Sequence, residues 1–199
     1  SCNVKASFAV ATSTDDTMTL RPRRSVLYMP GANERALEKA KTLEADALIL
    51  DLEDSVAPEA KAEARVRVAD SVKAGGYGRR EVVIRINGLD TPWGVDDMKA
   101  AVGAGADAIL VPKVSRGGNV ERAVALMADA PPQTRLWVMM ETPLAMLKSE
   151  EIAGANPRLA CLVLGTNDLV KETRASAAGQ RFALVPMLSL CVLAGRAHG

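Results

Sequence analysis

Five short apolar runs end on polar chemistry: LILDLED at 48–54, VVIRIN at 82–87, AILVPK at 108–113, LWVMME at 136–141 and LVLGTND at 162–168. A strand that meets water on neither face is apolar at consecutive positions, the pattern of a parallel sheet covered by helices. In such α/β folds, ligand chemistry gathers at the carboxyl ends of the strands. The runs therefore nominate Asp51, Arg85, Lys113, Glu141 and Asp168 as candidates for one functional face.

Between the runs the apolar spacing changes from strand-like to helical. Asn33 caps a predicted helix with apolar residues Ala36, Leu37, Ala40 and Leu43. Pro58 suits the first turn of a second, with Ala62, Val66, Ala69 and Val72 on its apolar side and Gly75-Gly76 as its stop. Further helices are expected around Val95, Met98, Ala101 and Val102, around Val120, Ala123, Val124 and Met127, and around Leu184, Leu188, Cys191, Val192 and Gly195.

Strand starts near 25, 47, 82, 108, 136 and 161 alternate with these helices. EADALILD at 44–51 and GADAILVP at 105–112 repeat an Ala-Asp-Ala lead-in two strand–helix units apart. That pace predicts an α/β fold of the (β/α)8 TIM-barrel type, incomplete at about six of eight units. A closed barrel would take roughly 60 more residues, so the chain is expected to be a fragment, with 18–199 forming one truncated barrel domain. A doubly wound open sheet is the alternative, but no Gly-x-Gly-x-x-Gly turn follows the first strand. Residues 1–17 are polar and rich in Ser and Thr, and Met18 directly precedes the first motif, so they read as an extraneous or disordered segment.

Composition narrows the function. Lys plus Arg total 25 against 24 for Asp plus Glu, so no global field favours nucleic acid or an anionic membrane, and a small-molecule site fits better. No run of about 18 or more uncharged apolar residues exists to span a bilayer. Cys2, Cys161 and Cys191 lack the spacing of a zinc site or disulfide framework, which fits a reducing cytoplasm. His198 is the sole histidine and stands one residue from the end, leaving little for a Ser/His or Cys/His hydrolase.

Glu141 and Asp168 are carboxylates at neighbouring strand ends, an arrangement that suits a hard divalent cation keeping several waters. Without His or Cys nearby, Mg2+ is the expected ion. The structural alternative makes Glu141 a cap before Thr142-Pro143 and Asp168 a helix N-cap in GTNDL. Arg85 and Asn87 are two apart on one strand side, and an arginine fork binds a substrate carboxylate bidentately. The alternative is an ion pair from Arg85 to Asp51 or Glu53, and the two roles are compatible. Asp51 and Glu53 share a face and supply either a general base or the groups that orient Arg85 and a metal-bound water, the latter being favoured. Asp54 with Ser55 is read as a loop start or helix cap. Lys113 is an ion-pair partner or substrate contact; a Schiff-base aldolase using it is the rival chemistry. The Gly31-Ala32-Asn33 turn offers amides to an anion, while Arg23 and Arg24 flank the other end of that strand.

RRSVLYMPGANERALEKA, DLEDSVAPEAKAEAR, VIRING, VPKV, ETP and GTNDL, in this order, resemble the citrate lyase beta-chain and malyl-CoA lyase family of HpcH/HpaI aldolase-like proteins. The resemblance runs from about Arg23 to the end of the chain. It implies a (β/α)8 barrel assembled as a homo-oligomer, a trimer or hexamer, in some cases within a lyase complex. It implies cleavage or formation of a carbon–carbon bond beside a thioester of coenzyme A or an acyl-carrier protein, giving a keto acid and a short acyl thioester. By position, the magnesium ligands match Glu141 and Asp168, and the substrate-carboxylate arginine matches Arg85. Asp51, Glu53 and Asp54 fall around the metal-bound water and that arginine; apart from the resemblance, Lys113 and Arg24 are further candidate substrate contacts. The seventh and eighth strands are missing, as is a C-terminal segment that in related lyases lends an acidic residue to a neighbouring subunit's site. A non-catalytic truncated subunit is the remaining alternative.

Overall fold

The computed structural model describes residues 9–11, 21–176 and 182–199. Strand β1 (Ala9–Ala11) lies inside the stretch read as extraneous, and the rest of that stretch, with Met18, lies outside the described residues. The chain groups into two compact units.

The first unit comprises residues 21–111 and 126–135. It contains β2 (Val26–Pro30), α1 (Glu34–Ala40), β3 (Ala47–Asp51), α2 (Lys61–Ala74), β4 (Glu81–Arg85), α3 (Gly94–Ala104) and β5 (Ala108–Val111). The four strands pair in parallel in chain order, with Pro30 opposite Asp51, Asp51 opposite Arg85 and Arg85 opposite Leu110. Every residue of β3, β4 and β5 is buried, as their unbroken apolar runs require. Asn33 caps α1 by accepting from the Ala36 amide, and Gly75, at φ 69°, ends α2. The buried side of α2 is Lys61, Ala64, Val68 and Ala69, rotated from the expected one; Val66 is exposed.

The repeated Ala-Asp-Ala lead-ins perform one structural job twice. The Asp46 carboxylate accepts from the Arg24 and Ser25 amides, and the Asp107 carboxylate accepts from the Val82 amide. Each aspartate thus ties the amino end of its strand to the preceding one, satisfying amides that open a buried ladder.

Among the described residues, the second unit comprises 9–11, 112–125, 136–176 and 182–199. Its elements are β1, α4 (Gly117–Leu126), β6 (Arg135–Met140), α5 (Pro143–Leu147), α6 (Ser149–Ala153), β7 (Leu159–Leu164), α7 (Thr166–Thr173) and α8 (Val185–Ala197). β6 and β7 pair in parallel, Met140 opposite Leu164, and β1 adds antiparallel to β7.

The fold is α/β of TIM-barrel type, with six strand–helix repeats. Among the described strands β2 pairs with β3 alone, so the sheet is not closed into a barrel. No helix of the described residues is long and apolar enough to cross a membrane.

Candidate functional site

In the first unit, register alone sets Asp51 beside Arg85 at the carboxyl ends of β3 and β4. The guanidinium donates from Nε to Asp51 Oδ1 at 2.6 Å and from Nη2 to Asp51 Oδ2 at 2.7 Å, a bidentate fork. Its Nη1 lies 2.8 Å from Glu53 Oε2 and 3.2 Å from Asp54 Oδ2, and its carbon stands 5.1 Å from the Tyr28 ring centre. The loop that brings these acids round turns on Asp51, whose carboxylate accepts the amides of Glu53 at 2.8 Å and Ser55 at 3.1 Å. Burial works to raise the Asp51 carboxyl, but the Arg85 hydrogen bonds and charge outweigh it and hold Asp51 below its ordinary range. The same acids raise Arg85 further above its usual value, against the burial that lowers it.

Three residues that the sequence reading missed support this cluster. Asp97 on α3 accepts from Arg65 Nε at 2.6 Å and from the Asn87 amide and Nδ2 at 3.0 and 2.6 Å. Asn87, expected beside Arg85, instead donates its other hydrogen bond to the Leu52 carbonyl at 2.9 Å. Lys61, the first residue of α2, donates to the Leu52 and Glu53 carbonyls. The available signal was Lys61 and Arg65 four apart on one helix side, but a Lys or Arg at such spacing is usually solvated.

Arg24 does not join this group. It stands before the amino end of β2, pairs with Asp46 at 2.9 Å and has an 82% exposed side chain, whereas Asp51 and Arg85 close the opposite ends of their strands. Its position in RPRR just ahead of a parallel strand dictates that end. The Gly31 turn is also spent internally. The Gly31 amide donates to the Asp51 carbonyl at 2.9 Å, and a Cβ on Gly31 would approach that oxygen to 2.6 Å, so only glycine lets the chain pass here.

In the second unit, Glu141 follows β6 and Asp168 stands in the first turn of α7. Neither is a cap: Thr142 caps α5 by accepting from the Ala145 amide, and Gly165 is the residue before α7. Glu141 is 1% exposed, and Oε1 accepts from the Lys113 amide at 2.8 Å. Lys113 reaches that geometry with a left-handed backbone, φ 54°, which costs an L-residue about 1 kcal/mol. Its Nζ lies 3.5 Å from Asp168 Oδ2, and its side chain is 53% exposed. Burial pushes the Glu141 carboxyl up to about 7; the Asp168 charge and hydrogen bond raise it too, while the Lys113 amide and charge oppose them. A Cβ on Gly165 would lie 2.6 Å from Glu141 Oε2, so the bare glycine leaves the room this carboxylate occupies.

This donor set suits magnesium. It is all oxygen, one carboxylate buried and the other 30% exposed, and no group of three or more His, Cys, Asp or Glu placed to hold a metal ion occurs among the described residues. Two protein ligands leave positions for waters and substrate oxygens, the usual manner of binding Mg2+.

Residues 24–199 match the sequence profile of the HpcH/HpaI aldolase/citrate lyase family. The chain is 52% identical over 178 residues to a (3S)-malyl-CoA thioesterase of Cereibacter sphaeroides (strain ATCC 17025), covering 89% of this chain and 61% of that protein. It is 38% identical over 161 residues to citrate lyase subunit beta of Escherichia coli (strain K12), covering 77% and 53%. Its structure is similar to that of protein CitE from Mycobacterium tuberculosis in complex with magnesium, acetoacetate and coenzyme A, with a TM-score of 0.69 at 26% identity, covering 87% of this chain and 62% of that one. The chain thus spans less than two thirds of the length of each of these relatives.

Proposed function

This chain belongs to the HpcH/HpaI aldolase/citrate lyase family, and on that premise we propose a magnesium-dependent carbon–carbon lyase of a carboxylated β-hydroxyacyl thioester. Its products are a keto acid, oxaloacetate or glyoxylate, and an acetyl thioester. The observation that carries this reading is Glu141, a carboxylate buried at a strand end beside Asp168, its carboxyl pushed up to about 7 by burial and by that second acid against the Lys113 amide and charge. Structural carboxylates are ordinarily paired with cations or bonded to several amides.

Glu141 and Asp168 would hold magnesium, which when bound would supply Lewis acidity toward a substrate oxygen. The Lys113 amide fixes Glu141 Oε1, so the carboxylate needs little reorganisation when it takes up the cation. Arg85 anchors the free carboxylate of the substrate and keeps the reacting carbons in line. Asp51 holds the Nε–Nη2 edge of the guanidinium and stays; Asp54, whose side chain is 68% exposed, is the partner that the incoming carboxylate replaces on Nη1. Glu53 keeps the other Nη1 contact. The thioester is carried by coenzyme A or an acyl-carrier protein, and the full chain works as a homo-oligomer, a trimer or hexamer.

A second reading has its own support. The 52% identity to a malyl-CoA thioesterase exceeds the 38% to a citrate lyase subunit, which favours hydrolysis of the thioester itself. A Schiff base on Lys113 has less support. Such a lysine is desolvated and kept from anions, whereas this one is half exposed and faces Asp168.

One assay separates these. The full chain is given (3S)-malyl-CoA and citryl-CoA with magnesium or with EDTA, and products are counted. Lyase action releases keto acid and acetyl-CoA one to one; thioesterase action releases free CoA and hydroxy acid without keto acid. Borohydride trapping that survives EDTA would establish the lysine chemistry. Absence of metal-dependent keto-acid release from either substrate defeats the main proposal, and absence of any turnover leaves a non-catalytic subunit.

A further inference from the structure

We infer that Lys61 is a positioning residue whose ammonium fixes the 51–54 loop, and through it the three carboxylates that aim Arg85. The inference rests on the reading of Arg85 as the carboxylate anchor. Lys61 is buried, an unusual place for a lysine, and its Nζ donates to main-chain oxygens, the Leu52 and Glu53 carbonyls, both at 3.0 Å. Its Nζ also lies 5.2 Å from the Trp93 ring centre, within cation–π range.

Those carbonyls belong to the irregular turn after β3, where no strand neighbour can supply a donor. The Leu52 oxygen takes two donors, Lys61 Nζ and Asn87 Nδ2, and Asn87 is held in turn by Asp97 and Arg65. The Glu53 oxygen likewise takes two, Lys61 Nζ and the Val56 amide at 3.1 Å. Both carbonyls flank the residue that contacts Arg85 Nη1, and Asp51 and Asp54 sit at either end of the same short segment. An ammonium meets both oxygens because its three protons are tetrahedral, while a shape-matched apolar side chain would take one of the two donors from each and leave Asn87 Nδ2 and the Val56 amide to hold them alone.

Charge supports the geometry. Four carboxylates, Asp51, Asp97, Glu53 and Asp54, act on Lys61 to raise its pKa, yet burial outweighs them and lowers it. The lysine is therefore kept where ionisation is costly and where these acids are the reason to hold a cation.

The test compares K61M, which keeps the length and loses the donors, with K61R, which keeps donors and charge, in the full chain. Amide exchange is followed at Glu53 and Ser55, whose amides close the turn on Asp51, with Val83 and Ile109 as core references. Steady-state kinetics are run with the turned-over acyl-CoA. K61M is expected to speed exchange at Glu53 and Ser55 about tenfold with the references unchanged, and to raise KM about tenfold with kcat within threefold; K61R recovers most of both. Unchanged exchange and KM in K61M overturn the inference. So does a uniform rise at the reference amides, or K61R behaving like K61M, because either marks a general packing role. If the wild type turns nothing over, the proposed function fails, and the local exchange ratio still decides whether Lys61 fixes the loop.

Discussion

Asp51 and Glu141 are both buried carboxylates at the carboxyl end of a parallel strand, and they differ in opposite directions from ordinary acids. Desolvation pushes each toward the neutral form. Asp51 meets a guanidinium edge-on and is held ionised below its usual range, whereas Glu141 meets one amide, an ammonium held by its neighbour and another acid, and is pushed up to about 7. Burial sets the stakes and the partner decides the charge. The first acid is therefore part of a finished ion cluster, and the second is the acid we propose takes a divalent cation.

The strongest way to break this contrast is to remove the partner from the finished side. R85A leaves Asp51 charged and buried without its fork, which should cost about 3–5 kcal/mol in urea unfolding. Its effect should shrink as Asp51 is protonated, since a carboxyl held below its unfolded value stabilises the fold above that value and loses the benefit as pH falls through the folded one. A stable R85A would mean that the cluster does not hold this end of β3 and β4.

The unfinished side responds to metal and to pH in the opposite sense. Magnesium at a hundred times its Kd should raise unfolding stability by about 2.7 kcal/mol, and E141Q or D168N should abolish the gain. Without metal, Glu141 binds its proton more tightly folded than unfolded, so stability is fully present below about 4.5 and falls as pH rises through 7. E141Q should flatten that fall, by an amount on the order of 1–3 kcal/mol. A wild-type melting curve that is level between pH 4.5 and 8 would contradict the contrast.

Much of this was legible before any coordinates. The strand starts came from runs of β-branched and aliphatic residues that only a two-sided burial explains, and Asp51, Arg85, Glu141 and Asp168 followed from standing where those runs stop. The pairing of Asp51 with Arg85 was one of two readings because register, which sets them opposite, is a tertiary property. Lys61, Arg65 and Asp97 were illegible for a related reason. A charged residue on a helix is solvated unless the helix is rotated to bury it, and α2 turns Lys61 inward while leaving Val66 outside. Arg24 misled because RPRR adjoins a strand without stating which end is functional. The left-handed Lys113, which aims its amide at Glu141, has no sequence mark at all.

A smaller effect sharpens the finished side. D54N removes the exposed competitor from Arg85 Nη1, so it should lower KM for the carboxylated substrate a few-fold, while stability changes by less than about 1 kcal/mol. A raised KM would instead make Asp54 part of the anchor.

The most direct measurement is a carboxyl carbon NMR titration of the wild-type chain with and without magnesium, following Glu141 and Asp51 together. The account predicts that Glu141 titrates at about 7 in the absence of metal and moves below 5 with magnesium, while Asp51 stays low in both. A Glu141 that titrates near 7 regardless of magnesium would contradict it.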